Sequence, residues 1–178
     1  MNTWANTVVT DKGRALLAKL IQGNTLDITR AVTGAGFVTP GFLANQTEVT
    51  DPKQTLTFRT VSYPDTGKCA LPVELRNEGL STGYMATQVG IYATDPDEGE
   101  ILFFISQAPE SNKGTEIPSE TEMPGYSADW TFYVQYGQAD GVNVTVDPAN
   151  TISKEEMEAY IADTFTPITT EKIKALFA

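Results

Sequence analysis

The chain has 178 residues, enough for one domain with an appendage, and 40% of them are apolar, which suffices for a hydrophobic core. A formal net charge of -11 argues against a protein that binds nucleic acid through its phosphates. No run of about 18 apolar residues occurs and no basic, then apolar, leader opens the chain, so we expect neither membrane insertion nor a secretory signal. The single cysteine, Cys69, excludes a disulfide within the chain.

The first predicted element is an amphipathic helix at residues 10–22. Thr10 or Asp11 can accept hydrogen bonds from its first turn. Four apolar residues recur at helical spacing and form one stripe: Leu16, Leu17, Leu20 and Ile21. A strand is predicted next, at residues 25–33, followed by Gly-Ala-Gly. That turn is not a dinucleotide fingerprint, because the third glycine is missing and no helix of the needed length follows.

A second β block is predicted to begin at Gln54, after a loop or short helical turn at residues 37–53. Apolar and polar residues alternate up to residue 63, where Pro-Asp-Thr-Gly indicates a turn. The alternation then resumes around residues 71–75. Because Pro72 cannot donate a ladder hydrogen bond, this strand is expected to be an edge strand or to be interrupted there.

The central feature is a long β-hairpin at residues 82–108. Its two apolar runs flank an acidic turn at residues 95–100, which contains Pro and Gly. The second run, residues 101–105, is apolar on both faces of the predicted strand. Such a strand is either enclosed in a core or covered by another chain. The residues leave both interpretations open.

After the hairpin, a loop rich in proline and glycine covers residues 109–127, and long loops in compact domains are often functional. A strong strand follows at residues 129–136 with a partner strand after it. The pattern then becomes helical: Ser153 begins a capping box, and a second short helix ends the chain. We therefore expect a mainly β (α+β) fold. It would be an antiparallel β-sandwich-like domain at residues 1–150 with an N-terminal amphipathic helix, followed by two short C-terminal helices at 151–178.

No catalytic constellation is visible in the sequence. The absence of histidine excludes the usual triads and histidine metal sites. Cys69, on a predicted strand, is interpreted as a small buried residue. The acidic turn fails the EF-hand pattern, since glycine and glutamate occupy each other's positions. We therefore expect no enzyme activity, no cofactor, no metal and no catalytic residue.

The residues that name a family lie mostly in the β domain. Residues 5–19 (ANTVVTDKGRALLAK) and 26–36 (LDITRAVTGAG) resemble the N-terminal domain of phage tail-collar fibre proteins. Similar segments recur at residues 50–54, 83–84, 88–93, 95–104, 117–123 and 130–141, so the resemblance covers about residues 5–150. It implies a structural protein of a virion tail that anchors a fibre or receptor-binding module to the baseplate. It also implies other tail or baseplate proteins as partners, and a homo-oligomer, with a trimer favoured.

Candidate contact residues follow from that implied role. The apolar candidates for subunit interfaces are Leu16, Leu17, Leu20, Ile21, Leu102, Phe104, Ile161, Ile173, Leu176 and Phe177. The candidates for rim contacts are Asp95, Asp97, Glu98 and Glu100, together with the loop at 109–127. Two alternatives remain. One is a carbohydrate-binding module that recognises bacterial surface glycan through Trp130, and the other is a hydrolase of envelope polymers. The residues also do not distinguish a phage from a tail-derived bacteriocin or an injection system.

Overall fold

The computed structural model describes Trp4 and residues 6–21, 26–65, 68–137 and 141–147. All of them belong to one compact unit, Met1–Pro148. The two helices expected at residues 151–178 lie outside the described residues. Within the described part of the chain, no helix is long and apolar enough to cross a membrane.

The described residues are mainly β, as expected. The strands are β1 (Asn6–Val9), β2 (Ile28–Gly34), β3 (Pro52–Phe58), β4 (Ser62–Asp65), β5 (Lys68–Arg76), β6 (Tyr84–Ala86), β7 (Gln88–Asp95), β8 (Gly99–Gln107), β9 (Thr115–Ile117), β10 (Ser127–Gly137) and β11 (Gly141–Asp147). Helix α1 spans Asp11–Ile21, and two 3-10 helices, η1 and η2, span Pro40–Asn45 and Glu110–Asn112.

Nine strands form one antiparallel sheet in the order β1-β8-β7-β2-β3-β5-β10-β11, with β4 also paired to β5. Strands β6 and β9 form a separate pair. The first part of β3 pairs with β2, whereas Thr57 and Phe58 at its end pair with β5. Because β3 changes partners, the sheet turns a corner and its two end strands, β1 and β11, lie beside each other. The result is a single curled sheet, not the two separately hydrogen-bonded sheets of a sandwich.

The main core fills the inside of this curl. Phe104 on β8 packs against Phe132 on β10 with ring centroids 5.3 Å apart, so side chains from both halves of the sheet meet. A register shift between β7 and β8 pairs Ile91 with Phe104 and Tyr92 with Leu102, which leaves Phe103 as the extra residue of a β-bulge. The bulge explains why Phe103 and Phe104, although adjacent, both belong to the main core.

The outer face of the hairpin is covered by the same chain. Leu102 and Ile105 of β8 and Tyr92 of β7 pack in a second buried cluster with Leu43 and Val49, from the connection between β2 and β3. Strand β8 is therefore enclosed on both faces within one chain. Of the two interpretations of residues 101–105, this arrangement corresponds to the core.

The expectation that the strand is an edge strand or is interrupted at Pro72 is wrong, because β5 runs unbroken through Pro72 and pairs with β10 along its whole length. Strand β5 lies inside the sheet, with β10 on one side and β3 and β4 on the other. Val73 is the last residue that pairs with β3, and Ala70 is paired with β4. Pro72 thus lies at the gap between two neighbours, where no ladder bond is needed from its nitrogen.

Candidate interaction site

Helix α1 begins directly on the backbone of β8. The Thr10 hydroxyl accepts a 2.9 Å hydrogen bond from the Gly13 amide and donates to the Leu102 carbonyl. The Thr10 amide donates to the Phe103 carbonyl at 3.1 Å. This is an N-cap whose side chain also binds the neighbouring strand, so a single buried threonine both starts the helix and fixes it at the bulge.

The end of α1 is attached to the acidic turn of the hairpin. Lys19 Nζ lies 2.7 Å from Asp95 Oδ1 and 2.7 Å from Asp97 Oδ2. The Asp95 carboxylate, which is buried, also accepts hydrogen bonds from the amides of Asp97 and Glu98. The hydrogen bond from Lys19 is the main cause that lowers the pKa of Asp95, and the same pair raises the pKa of Lys19. The turn is thus shaped around one carboxylate and one ammonium.

The other acidic residues of the turn also have partners within the chain. Lys12 Nζ lies 2.5 Å from Glu98 Oε2. Glu100 accepts hydrogen bonds from the Thr29 hydroxyl at 2.7 Å and from Arg30 Nε at 2.8 Å, and these lower its pKa. All four rim candidates are therefore already paired with basic side chains of the same chain. Their charges join the hairpin to α1 and β2.

Two buried glutamines hold the connection between β2 and β3 against the hairpin. Gln88 Nε2 donates to Gln107 Oε1 at 2.7 Å, and both side chains are fully buried. Gln107 then binds both backbone groups of Val38, accepting at 2.9 Å and donating at 2.7 Å. Gln88 Oε1 accepts from the Thr50 amide at 2.7 Å. The two amides clamp the connection at both of its ends.

We call residues 36–47 of this connection the outer segment. Its inner side is anchored by Leu43, which is fully buried. Its outer side presents two aromatic rings to solvent, since Phe42 is 64% exposed and Phe37 is 41% exposed. No Asp, Glu, Lys or Arg occurs between Arg30 and Glu48. The segment is therefore fixed and uncharged, and it presents two aromatic rings at its surface.

A polar cluster on β5 anchors the loop after β9. The nearly buried Glu74 lies 3.1 Å from Arg59 and 3.0 Å from Arg76, and the hydrogen bond from Arg59 is the main cause that lowers its pKa. Asn77, 1% exposed, donates through Nδ2 to the carbonyls of Pro118, Ser119 and Met123. A polar cleft of about 280 Å³ lies here, lined by Glu74, Arg76, Asn77, Glu78, Glu120, Gly125, Tyr126 and Ser127. The bonds of Asn77 hold the loop in a fixed conformation.

An apolar cavity of about 460 Å³ opens near the start of β5. Its lining residues are Leu26, Ile28, Phe58, Val61, Cys69, Leu71 and Val134. Burial raises the pKa of the partly buried Cys69 thiol, which favours its neutral form. The lining provides packing surface and no acid, base or metal ligand besides that thiol.

The predicted contact residues divide into three groups. Leu16, Leu102 and Phe104 are fully buried within the chain, and Leu17 and Leu20 are partly buried against the core. Leu16, Leu102 and Phe104 are therefore corrected from surface contacts to core residues of this chain. Leu17 and Leu20 keep part of their surface accessible, and their role as contacts stays a prediction. The side chain of Ile21 and the candidates Ile161, Ile173, Leu176 and Phe177 lie outside the described residues.

The glycan platform at Trp130 is also corrected. Trp130 is 2% exposed and packs edge-on against Trp4, with ring centroids 5.9 Å apart. A sugar ring requires an accessible aromatic face, which Trp130 does not offer. Its position on the inward face of β10 follows from the same alternation that makes Phe132 a core residue.

Sequence reasoning missed the residues that organise the outer segment. Gln88 and Gln107 stand at the ends of strands whose central residues are apolar, and a polar residue beside such a run is the signal that could have identified them. Among the described residues, no three Asp, Glu or Cys side chains are grouped so that they could hold a metal ion.

Comparisons with family models, curated proteins and solved structures found no match to the chain.

Proposed function

We propose that the chain is a structural component of a phage or phage-like tail. In this role it anchors a tail fibre or receptor-binding module to the baseplate through protein-protein contacts. It acts as a homo-oligomer, with a trimer favoured, requires no cofactor and catalyses no reaction. Its location is the virion tail, after assembly in the bacterial cytoplasm.

The observation that carries the proposal is the use of buried polar side chains in the segments that resemble tail-collar fibre proteins. Thr10, Gln88 and Asp95 lie in those segments, and each one binds a distant element of the chain. Their hydrogen bonds are all made, so their role is to fix elements against each other. A rigid scaffold with satisfied internal bonds suits a protein that presents surfaces to neighbours.

The glycan-binding alternative loses its main support in this arrangement. It requires an exposed aromatic platform, and Trp130 is instead buried in the core, where it packs against Trp4. Among the described side chains the exposed aromatic rings are Phe37 and Phe42, and neither belongs to the platform expected at Trp130. We therefore retain the structural role as the only proposal.

A deletion experiment tests the proposal. The gene is removed from the phage or prophage genome that encodes the chain, and particles are produced and imaged by electron microscopy. We expect tails that lack fibres and do not adsorb to the host, with both defects restored by the gene in trans. Complete, adsorbing particles made without the chain would contradict the proposal.

A further inference from the structure

We propose that the outer segment is the surface through which copies of this chain bind to one another. This inference deepens the proposed function, because it names the partner and the surface of the oligomer expected there. The occupant is a second copy of the chain, with Phe42 at the centre of the contact.

The outer segment exposes two aromatic rings to solvent. Phe42 and Phe37 are the large aromatic residues most exposed among the described part of the chain, at 64% and 41%. Between them Thr39, Pro40 and Gly41 are exposed as well, whereas Val38 is partly buried. Cores of protein interfaces are enriched in aromatic residues and depleted of charges, and the outer segment has both properties.

Charge is the argument for a second copy. Two copies of a chain with net charge -11 repel each other across most of their surface. The outer segment has no charged residue, so a contact centred on Phe42 places none of the segment's own side chains in like-charge repulsion. A basic partner would gain nothing from this segment and would be attracted to the acidic surface instead.

The backbone of the outer segment is held in place by contacts within the chain. The Gly36 amide donates to the Thr50 carbonyl at 3.0 Å, Val38 is held by Gln107, and Leu43 is buried beneath the segment. These contacts fix the backbone before any partner arrives. Less conformational entropy is then lost on association, which favours binding by a small apolar surface.

The test measures the mass of the full chain in solution by sedimentation equilibrium over a range of concentrations. Phe42→Asp places a charge at the centre of the segment. Gly41→Glu does so without a clash, since a Cβ at Gly41 meets nothing within 4 Å. Met123→Asp is the matched control, because Met123 is also exposed, at 52%, but lies in the loop after β9. Circular dichroism and the melting temperature report whether each variant folds.

We expect an oligomer for the wild-type chain and for Met123→Asp, and a dissociation constant at least about tenfold higher for both outer-segment variants. Added salt should strengthen the association, because it screens repulsion between acidic copies. A wild-type chain that stays at 19.3 kDa at every concentration would overturn the inference. So would an unchanged mass for folded Phe42→Asp and Gly41→Glu, or an equal loss in Met123→Asp.

This test is independent of the deletion experiment. An oligomer that does not depend on the outer segment refutes the inference but leaves the tail role untouched. Conversely, complete particles without the gene refute the tail role, whatever the mass measurement shows.

Discussion

Replacement of Gly13 by alanine tests the contact between α1 and the bulge of β8. Gly13 lies in the first turn of α1, where alanine alone is more stable than glycine by about 1 kcal/mol through its helix propensity. In this fold, however, a Cβ at Gly13 would lie 2.1 Å from the Phe103 carbonyl oxygen and 2.9 Å from Val9 Cγ1. Both distances are shorter than real Cβ contacts, so the helix must move.

The magnitude follows from what that movement costs. Overpacking a buried contact costs about 1–3 kcal/mol. Displacement of α1 also weakens the bond from Thr10 to the Phe103 carbonyl, worth about 1 kcal/mol. Set against the gain of about 1 kcal/mol in propensity, the net destabilisation is about 2 kcal/mol. For a chain of this size, the melting temperature should fall by about 4–8 °C.

The assay is chemical and thermal unfolding followed by circular dichroism, with Gly41→Ala as the matched control. Gly41 also lies in a helical turn, but its Cβ would meet nothing within 4 Å. We expect Gly41→Ala to be equal in stability to the wild type or higher by up to about 1 kcal/mol. A Gly13→Ala variant as stable as the wild type, or more so, would refute the packing of α1 on the Phe103 carbonyl.

Three further changes test other contacts. Gln107→Leu removes both hydrogen bonds to Val38 and should lower the free energy of unfolding by about 2–4 kcal/mol. The Val38 amide should also exchange its hydrogen faster, and an unchanged exchange rate would contradict the clamp. Asp95→Asn should lower stability at neutral pH. The pKa of Asp95 is below its ordinary value of 3.8, so its stabilisation exists above that pH and is lost as pH falls. The difference between the wild-type and Asp95→Asn stabilities should thus shrink as the pH falls below 3.8, and a constant difference would refute the pairing with Lys19. Trp130→Ala should cost about 3–5 kcal/mol, and a variant with wild-type stability would contradict its burial.

The features that depend on local pattern could be predicted from the sequence. The alternation of Leu71, Val73 and Leu75 indicates a strand with one inward face, and all three are buried on β5. The acidic turn with Pro and Gly predicts the hairpin of β7 and β8, which is confirmed. In both cases the neighbours in sequence are also the neighbours in the structure.

The features that depend on distant residues could not be predicted from the sequence. The partner of Asp95 is Lys19, which lies far away in sequence on another element, so the acidic turn looked unpaired. Whether residues 101–105 are covered by the same chain depends on Leu43 and Val49, whose position is set by the fold. The β-bulge at Phe103 likewise could not be predicted, because residues 101–105 are all apolar and no residue type among them indicates a bulge. A sequence shows which side chains need a partner, but only the fold identifies that partner.

The most direct test of the central claim is to locate and count the chain in purified tail particles. Immunogold labelling and quantitative mass spectrometry are applied to particles from the genome that encodes it. The account predicts label at the baseplate end of the tail and a copy number that is a multiple of three. Particles that contain no copy of the chain would contradict it.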